Sequence, residues 1–272
     1  MATPYEWIVD ALEETWTAID RVLRPQLPAA YDAPTPCPGW SVRDVLSHLL
    51  GFESFLQGEP VPPHEGEWPA YVRNSIGEMN EAFVEAHRHE PGREVLDQFR
   101  EVTRLALIRL RGLSTEEWDV VGWSPEGPRP YHRFQETRLL DSWIHLQDIR
   151  DALLEPADDH GVGEEVVVNR FEAALPYVVG HVMKAPDATV VRITLTGRLG
   201  RSVTLEVASG RASAVASSAG APTVEITTPV ALFWRRAAGR IGAEAFLAAS
   251  ATQVHGSRSL ARDFSRALAI MI

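Results

Sequence analysis

The chain has 272 residues, of which 45% are hydrophobic and 23% are charged, the composition of an ordinary globular protein. Its length exceeds that of a typical single domain and favours two domains. A net charge of −11 and a pI near 5.3 argue against a nucleic-acid partner, which would require a basic face. A single cysteine, Cys37, excludes internal disulfides and multi-cysteine metal clusters.

The N-terminal stretch MATPYEWIVDALEETW has neither the basic region nor the apolar core of a signal peptide. No apolar run approaches the roughly 18–20 residues that span a bilayer. We therefore expect a cytoplasmic protein without a membrane partner. Among the basic residues only Lys184 is a lysine, a bias that is typical of GC-rich coding sequence.

Amphipathic periodicity predicts helices throughout the N-terminal part of the chain. Apolar residues recur three and four positions apart in five stretches, residues 5–24, 42–57, 70–88, 93–113 and 132–154. The interruption at Pro91 and Gly92 leaves open whether the third and fourth stretches form one kinked helix or two helices. Proline-rich loops connect the other stretches. The sequence thus predicts an all-α, four-helix bundle over residues 1–157, with a fifth helix if the kinked stretch is divided.

The pattern changes after residue 157. A helix over 164–183 is followed by β-branched alternation over 189–197 and 201–210, which predicts a hairpin. Further on, APTVEITTPVALFWRRAAG reads as a strand and a helix, TQVHG as a short strand, and the last residues as a helix from Ser257. Residues 158–272 are therefore expected to form a small α+β domain.

The stretch TPCPGWSVRDVLSHLLGF, residues 35–52, is organised around the start of a helix. Ser41 fits the N-cap position, with Asp44 as its capping-box partner. Cys37 precedes this helix, where the helix dipole lowers the pKa of a thiol. It is either a nucleophile or a small packed loop residue. We favour the packed residue, because thiolate activation requires an electropositive and accessible setting.

Three further residues have the types and spacing of a metal site. His48 shares an apolar helix face with Val45 and Phe52, so it points into the bundle. Asp141 and His145 are four residues apart and are neighbours on one helix face. The three residues have two interpretations. His48 is a core histidine and the other two form an ordinary Asp–His pair, or all three are ligands of a catalytic metal. In the second case, two histidines and one carboxylate leave a coordination position open.

The stretch over 35–52, with GEMNEAFVEAHRHEPGREVLDQF and DSWIHLQDIRDALLEP, resembles the DinB-like superfamily and specifically the mycothiol-dependent maleylpyruvate isomerase family. The C-terminal VEITTPVALFWRRAAGRIGAEAF is similar to the sterol-carrier-like (SCP2-like) domain of that family. The resemblance implies a DinB-like metal-binding helical bundle followed by this α+β domain. It also implies that His48, Asp141 and His145 hold a divalent metal, with Asp141 standing where the family pattern has glutamate.

The resemblance further implies a metal-dependent isomerase or S-transferase that uses mycothiol or a related thiol as cosubstrate. Zinc is the expected ion, and nickel or another divalent ion also suits this ligand set. A thiol on such an ion loses its proton at neutral pH and can add to an electrophilic small molecule such as maleylpyruvate. The partners expected are therefore this electrophilic substrate and the thiol. We expect the chain to be a monomer or a small homo-oligomer.

Two alternatives remain open from the residues. The shorter Asp141 keeps a non-catalytic small-molecule-binding protein as the alternative to an enzyme. A metal-assisted hydrolase is disfavoured, because no glutamate beside either histidine offers a general base.

An anionic substrate needs a cationic contact, for which Arg73 and Arg240 are the candidates. Asp148 is expected to orient the metal-bearing helix, together with Arg150, or to pair with Arg43. Two loops with tryptophans are expected to border the site as an aromatic mouth, residues 58–69 and 118–131 with Trp68, Trp118 and Trp123.

Overall fold

The structure, a computed structural model, describes residues 3–157, 161–216 and 220–271. The chain divides into two compact units, Met1–Glu164 and Glu165–Ile272. The domain boundary was predicted between residues 157 and 158. Residues 158–160 lie outside the described residues. In the described part of the chain, no helix combines the length and apolar character needed to cross a membrane.

The first unit is a bundle whose helices follow the predicted periodicity. They are α1 (Glu6–Leu23), α2 (Val42–Leu56), α3 (Ser75–His87), α4 (Gly92–Arg111), α5 (Thr115–Asp119) and α6 (Tyr131–Ala152). The chain leaves helical structure between α3 and α4, so the two-helix alternative is correct there. A short 3₁₀ helix, Pro28–Asp32, interrupts the proline-rich loop after α1.

The bundle is held by the apolar faces of its long helices. α1 packs on α4 and α6, and α2 packs on α3, α4 and α6. The predicted apolar face of α1 is buried along its whole length, at Ile8, Leu12, Trp16, Ile19 and Leu23. Each such side chain contributes roughly 1.5–3 kcal/mol by leaving water. Tertiary packing of this face, more than helix propensity, therefore stabilises α1.

The loop predicted over 118–131 is partly structured. It contains the end of α5 and a two-stranded antiparallel hairpin, β1 (Val121–Gly122) with β2 (Arg129–Pro130). Trp118 is 0% exposed, and its ring centroid lies 5.7 Å from that of Tyr131. Trp118 is therefore a core residue, and the expectation that it lines an aromatic mouth is wrong.

Helix α7 (Gly161–Tyr177) spans the sequence boundary between the units and ends in a π-helical turn, Val178–Val182. The elements that follow are β3 (Val190–Thr196), β4 (Arg201–Ala208), β5 (Arg211–Val215), β6 (Val224–Pro229), α8 (Val230–Ala237), α9 (Ala243–Ala248), β7 (Gln253–Gly256) and α10 (Arg258–Ala267). The sequence did not predict β5 or α9, because β5 is rich in small residues and α9 has only 6 residues.

The second unit is built on one five-stranded sheet in the order β5-β4-β3-β6-β7. β3 and β6 pair in parallel, and the other neighbours pair antiparallel. Val191 and Ile193 of β3 stand in register with Val224 and Ile226 of β6, and all four are buried. The alternation that predicted these strands thus marks the face that forms the core. The predicted α+β class is confirmed.

Candidate metal centre

The first turn of α2 determines where His48 points. The Ser41 and Asp44 side chains accept hydrogen bonds from each other's backbone N–H groups at 3.2 and 2.9 Å, so the predicted capping box is present. Gly39 has a φ of +77°, and a Cβ there would lie 2.4 Å from Tyr71 Cε1. Only glycine fits this entry to the helix. His48 follows about two turns later on the buried face.

The structure brings the three predicted ligands together. Asp141 Oδ2 lies 3.2 Å from His48 Nε2, and Asp141 Oδ1 lies 3.5 Å from His145 Nε2. One ligand atom from each residue falls within a cluster in which all separations are below 4.8 Å. Donor atoms bonded at 2.0–2.1 Å to a tetrahedral ion lie about 3.3 Å apart. The two measured separations, 3.2 and 3.5 Å, are close to this value, so the geometry of the donor atoms suits a divalent ion. Both histidines are buried.

The charges around the histidines also fit a divalent cation. Glu53, Asp141 and Asp148 supply three carboxylates, and Arg138 supplies one guanidinium within the same buried hydrogen-bonded network. Carboxylates outnumber the guanidinium beside the two histidines, and the resulting negative potential favours a cation at this point.

The protonation of the site follows from these contacts. Burial lowers the pKa of His48, and Asp141 offsets this only in part. Burial also acts to lower the pKa of His145, but its hydrogen bond and charge interaction with Asp141, together with Asp148, raise that pKa well above its ordinary value. Burial alone would raise the pKa of Asp141, but the two histidines hold it well below its usual range. A bound metal would therefore take the place of one proton, on His145.

Asp148 acts on His145 and does not pair with Arg43. Asp148 Oδ2 lies 3.0 Å from His145 Nδ1, which leaves Nε2 of that ring facing Asp141 Oδ1. Arg43 pairs with Asp32 at 2.9 Å, so the expected pairing with Asp148 is wrong. A carboxylate on the far nitrogen of a ligating histidine fixes its tautomer and strengthens it as a donor. This contact acts on the His145 ring, whereas the sequence reasoning had assigned Asp148, with Arg150, to orienting the helix.

The lone cysteine is part of this arrangement. Cys37 is buried, and its Sγ donates to Asp148 Oδ2 at 3.2 Å while lying 4.0 Å from His145 Nδ1. The packed-residue interpretation accounts for its burial. The sequence did not indicate its hydrogen bond to Asp148, because the two residues are 111 positions apart.

An indole ring covers the two histidines. The ring centroid of Trp40 lies 5.3 Å from that of His48 and 6.1 Å from that of His145. Trp40 Nε1 donates to Glu81 Oε2 at 2.8 Å, and Glu81 is itself fully buried on α3. Trp40 therefore forms one wall of the site, and Glu81 holds it in place.

A cluster of aromatic side chains adjoins His48 on the other side. The ring centroid of Phe52 lies 6.3 Å from that of His48. From Phe52 the contacts continue through Phe55 to Trp123, which is 52% exposed. Trp68 stacks on His64 at 3.5 Å. Trp123 is thus the exposed tryptophan that contacts the ring cluster beside His48.

Two residues next to the ligands were missed by the sequence reasoning, Glu53 on α2 and Arg138 on α6. Arg138 Nε and Nη2 donate to Glu53 Oε1 at 3.0 and 2.7 Å, and Arg138 Nη1 donates to Asp141 Oδ2 at 2.8 Å. Both residues are buried. The available signal was spacing, since Glu53 is five residues after His48 and Arg138 is three before Asp141.

The two arginines proposed for substrate binding occupy different units. Arg73 is exposed in the segment before α3, outside the helix in which the periodicity had placed it. Arg240 lies in the second unit, where its Nη1 donates to the carbonyl oxygen of Ala238 at 2.8 Å.

Comparison with known proteins gives a consistent assignment. Residues 12–150 match the family described as the mycothiol maleylpyruvate isomerase N-terminal domain. No curated protein matches the sequence. The crystal structure of the mycothiol-dependent maleylpyruvate isomerase superposes with a TM-score of 0.58 at 15% identity, covering 93% of this chain and 95% of that one.

The crystal structure of a histidine-to-alanine mutant of that isomerase gives a TM-score of 0.56 at 15% identity, covering 89% of this chain and 93% of that one. Such low identity shows a shared two-domain fold and does not by itself transfer an activity. The family match, however, covers just over half of the 272 residues. This chain therefore belongs to the mycothiol maleylpyruvate isomerase family.

Proposed function

We propose that this protein is a metal-dependent isomerase that uses mycothiol or a closely related thiol to isomerise an electron-poor alkene such as maleylpyruvate. The observation that carries the proposal is the set of His48, Asp141 and His145, with both histidines buried, in a chain of this family. We propose zinc as the resident ion. The crystal structures with the same fold are of an isomerase that depends on mycothiol.

The three ligands have separate roles in this proposal. His48 Nε2 and His145 Nε2 face the Asp141 carboxylate from two helices, so side chains of α2 and α6 together would hold the ion. Asp148 keeps the proton of His145 on Nδ1. Trp40 limits the entry of water above the histidines. When bound here, a divalent cation supplies one chemical property, the lowering of a thiol pKa so that the thiolate persists at neutral pH.

The reaction then needs no oxidant or reductant. The sulfur of the cosubstrate forms a C–S bond to one alkene carbon, and the alkene π pair moves onto the conjugated carbonyl as an enolate. Rotation about the former double bond follows. The enolate pair then re-forms the double bond as the C–S bond breaks, which releases the thiolate and the isomerised alkene. With an electrophile that carries a leaving group, the same addition ends in S-transfer.

Binding of a substrate carboxylate requires a cation that is not already committed. Arg138 is committed to Glu53 and Asp141 and does not meet this need. Arg73 is exposed and makes no hydrogen bond or ion pair with the described residues. We propose Arg73 as the substrate-anion contact, whereas Arg240, the other candidate, already donates to the carbonyl oxygen of Ala238 in the second unit.

The test combines metal analysis with turnover. We expect purified protein to contain about one divalent ion per chain and to isomerise maleylpyruvate only when mycothiol is present. The double variant His48→Ala, His145→Ala should lose the ion and the activity. His87→Ala is the matched control, because His87 is a half-buried histidine on α3 that contacts Glu90 and not the site.

Two outcomes would contradict the proposal. One is a wild-type protein that takes up no divalent ion, even after incubation with excess zinc. The other is a metal-loaded protein that neither isomerises maleylpyruvate nor transfers mycothiol to monochlorobimane. The second outcome would favour a non-catalytic binding protein.

A further inference from the structure

A buried three-residue ionic network joins the two helices that carry the candidate ligands. Arg138 donates from Nε and Nη2 to one oxygen of Glu53 and from Nη1 to Oδ2 of Asp141. The Arg138 guanidinium also lies 4.2 Å from the centroid of the Phe52 ring. Both sides of the guanidinium fork and one of its faces are thus occupied by protein.

The network repeats the link between α2 and α6 that the ligands make. His48 on α2 meets Asp141 on α6, and Glu53 on α2 meets Arg138 on α6. The two residues are five positions apart on α2 and three positions apart on α6. A shift of one helix along the other would break both contacts together. The network therefore fixes the register of the two helices at the level of the ligands.

Arg138 also treats the two oxygens of Asp141 differently. It donates at 2.8 Å to Oδ2, the oxygen that also lies 3.2 Å from His48 Nε2, whereas Oδ1 faces His145 Nε2 at 3.5 Å. An aspartate has one methylene less than a glutamate, so its carboxylate is placed mainly by the backbone and by hydrogen bonds from neighbours. Arg138 is the neighbour that makes the shortest contact with it in the described residues.

We propose that Arg138, held by Glu53, is a positioning residue that aims Asp141 at the metal and makes this shorter carboxylate an effective ligand. The inference rests on the proposed function, since it presumes an ion between His48, Asp141 and His145. It assigns to a buried ion pair a role beyond stability. Such pairs are by themselves weak evidence for stability, because desolvation offsets much of their attraction.

The experiment measures the affinity of the full-length protein for Zn²⁺ and Co²⁺ by competition with a chromophoric chelator. The main variant is Arg138→Met with Glu53→Gln, which removes both charges so that neither is left unpaired. We expect its metal affinity to fall about 10- to 100-fold with the stoichiometry unchanged. The visible Co²⁺ spectrum should change as the carboxylate becomes less ordered. Arg138→Lys keeps the charge and loses the guanidinium fork, so its metal affinity should lie between those of the wild type and the double variant.

Arg236→Met is the matched control. Arg236 is a buried arginine of the second unit that donates to the carbonyl oxygens of Ser265, Ile241 and Arg266. Its loss should lower thermal stability without changing metal affinity. If the double variant does not fold, Arg138→Lys and Glu53→Gln alone provide the same comparison.

The possible outcomes separate this inference from the proposed function. If wild-type protein binds no metal, both the proposed function and this inference are wrong. If wild type binds metal through the histidines but the Arg138 variants bind it equally well or more tightly, this inference alone is overturned. A stability loss matched by the Arg236 control, with unchanged affinity, would assign Arg138 to folding only.

Discussion

Asp148 Oδ2 lies 3.0 Å from Nδ1 of His145, on the side of the ring opposite to the nitrogen that faces Asp141. His145 is thus held between two carboxylates on its own helix, three and four residues away. His48 has no such support, since its buried Nδ1 has no hydrogen-bond partner among the described residues. The two histidines are therefore unequal, with His145 the more basic.

Asp148→Asn should weaken metal binding by about 10-fold, because an amide still accepts the hydrogen bond but no longer makes His145 a stronger donor. The measurement is a chelator competition at pH 7. Asp151→Asn, which removes a carboxylate three residues further along α6, serves as the control and should leave the affinity unchanged. An equal effect of both substitutions would mean that overall charge, and not the contact with His145, is responsible.

Cys37→Ala should retain thiol-dependent turnover within a few-fold of wild type. The Cys37 side chain is buried and donates to Asp148, so it supports the site without acting as a nucleophile. Cys37→Ser, which keeps a donor for Asp148, should be closer still to wild type. Loss of turnover in the alanine variant with its metal retained would instead identify Cys37 as a catalytic residue.

Metal binding should release about one proton per ion near neutral pH, and that proton should come from His145. The pKa of His145 is raised well above 6.5, that of His48 is lowered, and Asp141 stays ionised. Metal affinity should therefore fall as the pH falls below the raised pKa of His145. Calorimetric titrations in buffers of different ionisation enthalpy measure the proton count, and release of two protons or none would contradict the assignment.

The stability of the metal-free protein should change with pH in the opposite direction to the metal affinity. A raised pKa in the folded state stabilises the fold fully below the unfolded value of about 6.5 and is lost as the pH rises through the folded value. The stabilisation by added zinc, measured as the rise in Tm, should consequently grow from pH 6 to pH 8. A constant rise in Tm over this range would show that His145 does not exchange a proton for the metal.

Gly51→Ala should destabilise the protein by about 1–3 kcal/mol through overpacking. A Cβ at this position of α2 would lie 2.4 Å from both Cβ and Cγ of Phe83 on α3. Gly77→Ala is the control, because a Cβ there makes only ordinary contacts from 3.5 Å and helix propensity favours alanine. Urea unfolding gives both values, and equal stabilities would show that α3 moves away readily.

The three proposed ligands were all identified from the sequence. The helical period placed Asp141 and His145 on one face, and the apolar neighbours Val45 and Phe52 placed His48 on the buried face of α2. These inferences depend on contacts within one helix, which follow from sequence spacing. That α2 and α6 bring the two faces together came from the family resemblance, not from the spacing.

The sequence by itself determined the elements: the helical bundle, the β-branched strands of the second unit and the residues that could ligate a metal. Only the tertiary structure decided which polar groups meet across helices. The contacts of Arg138 with Glu53 and of Cys37 with Asp148 join residues 85 and 111 positions apart. Periodicity carries no information about such pairs, since each depends on how two helices are rotated and shifted against each other. The same limit made Trp118 look like a surface residue until its packing against Tyr131 was known.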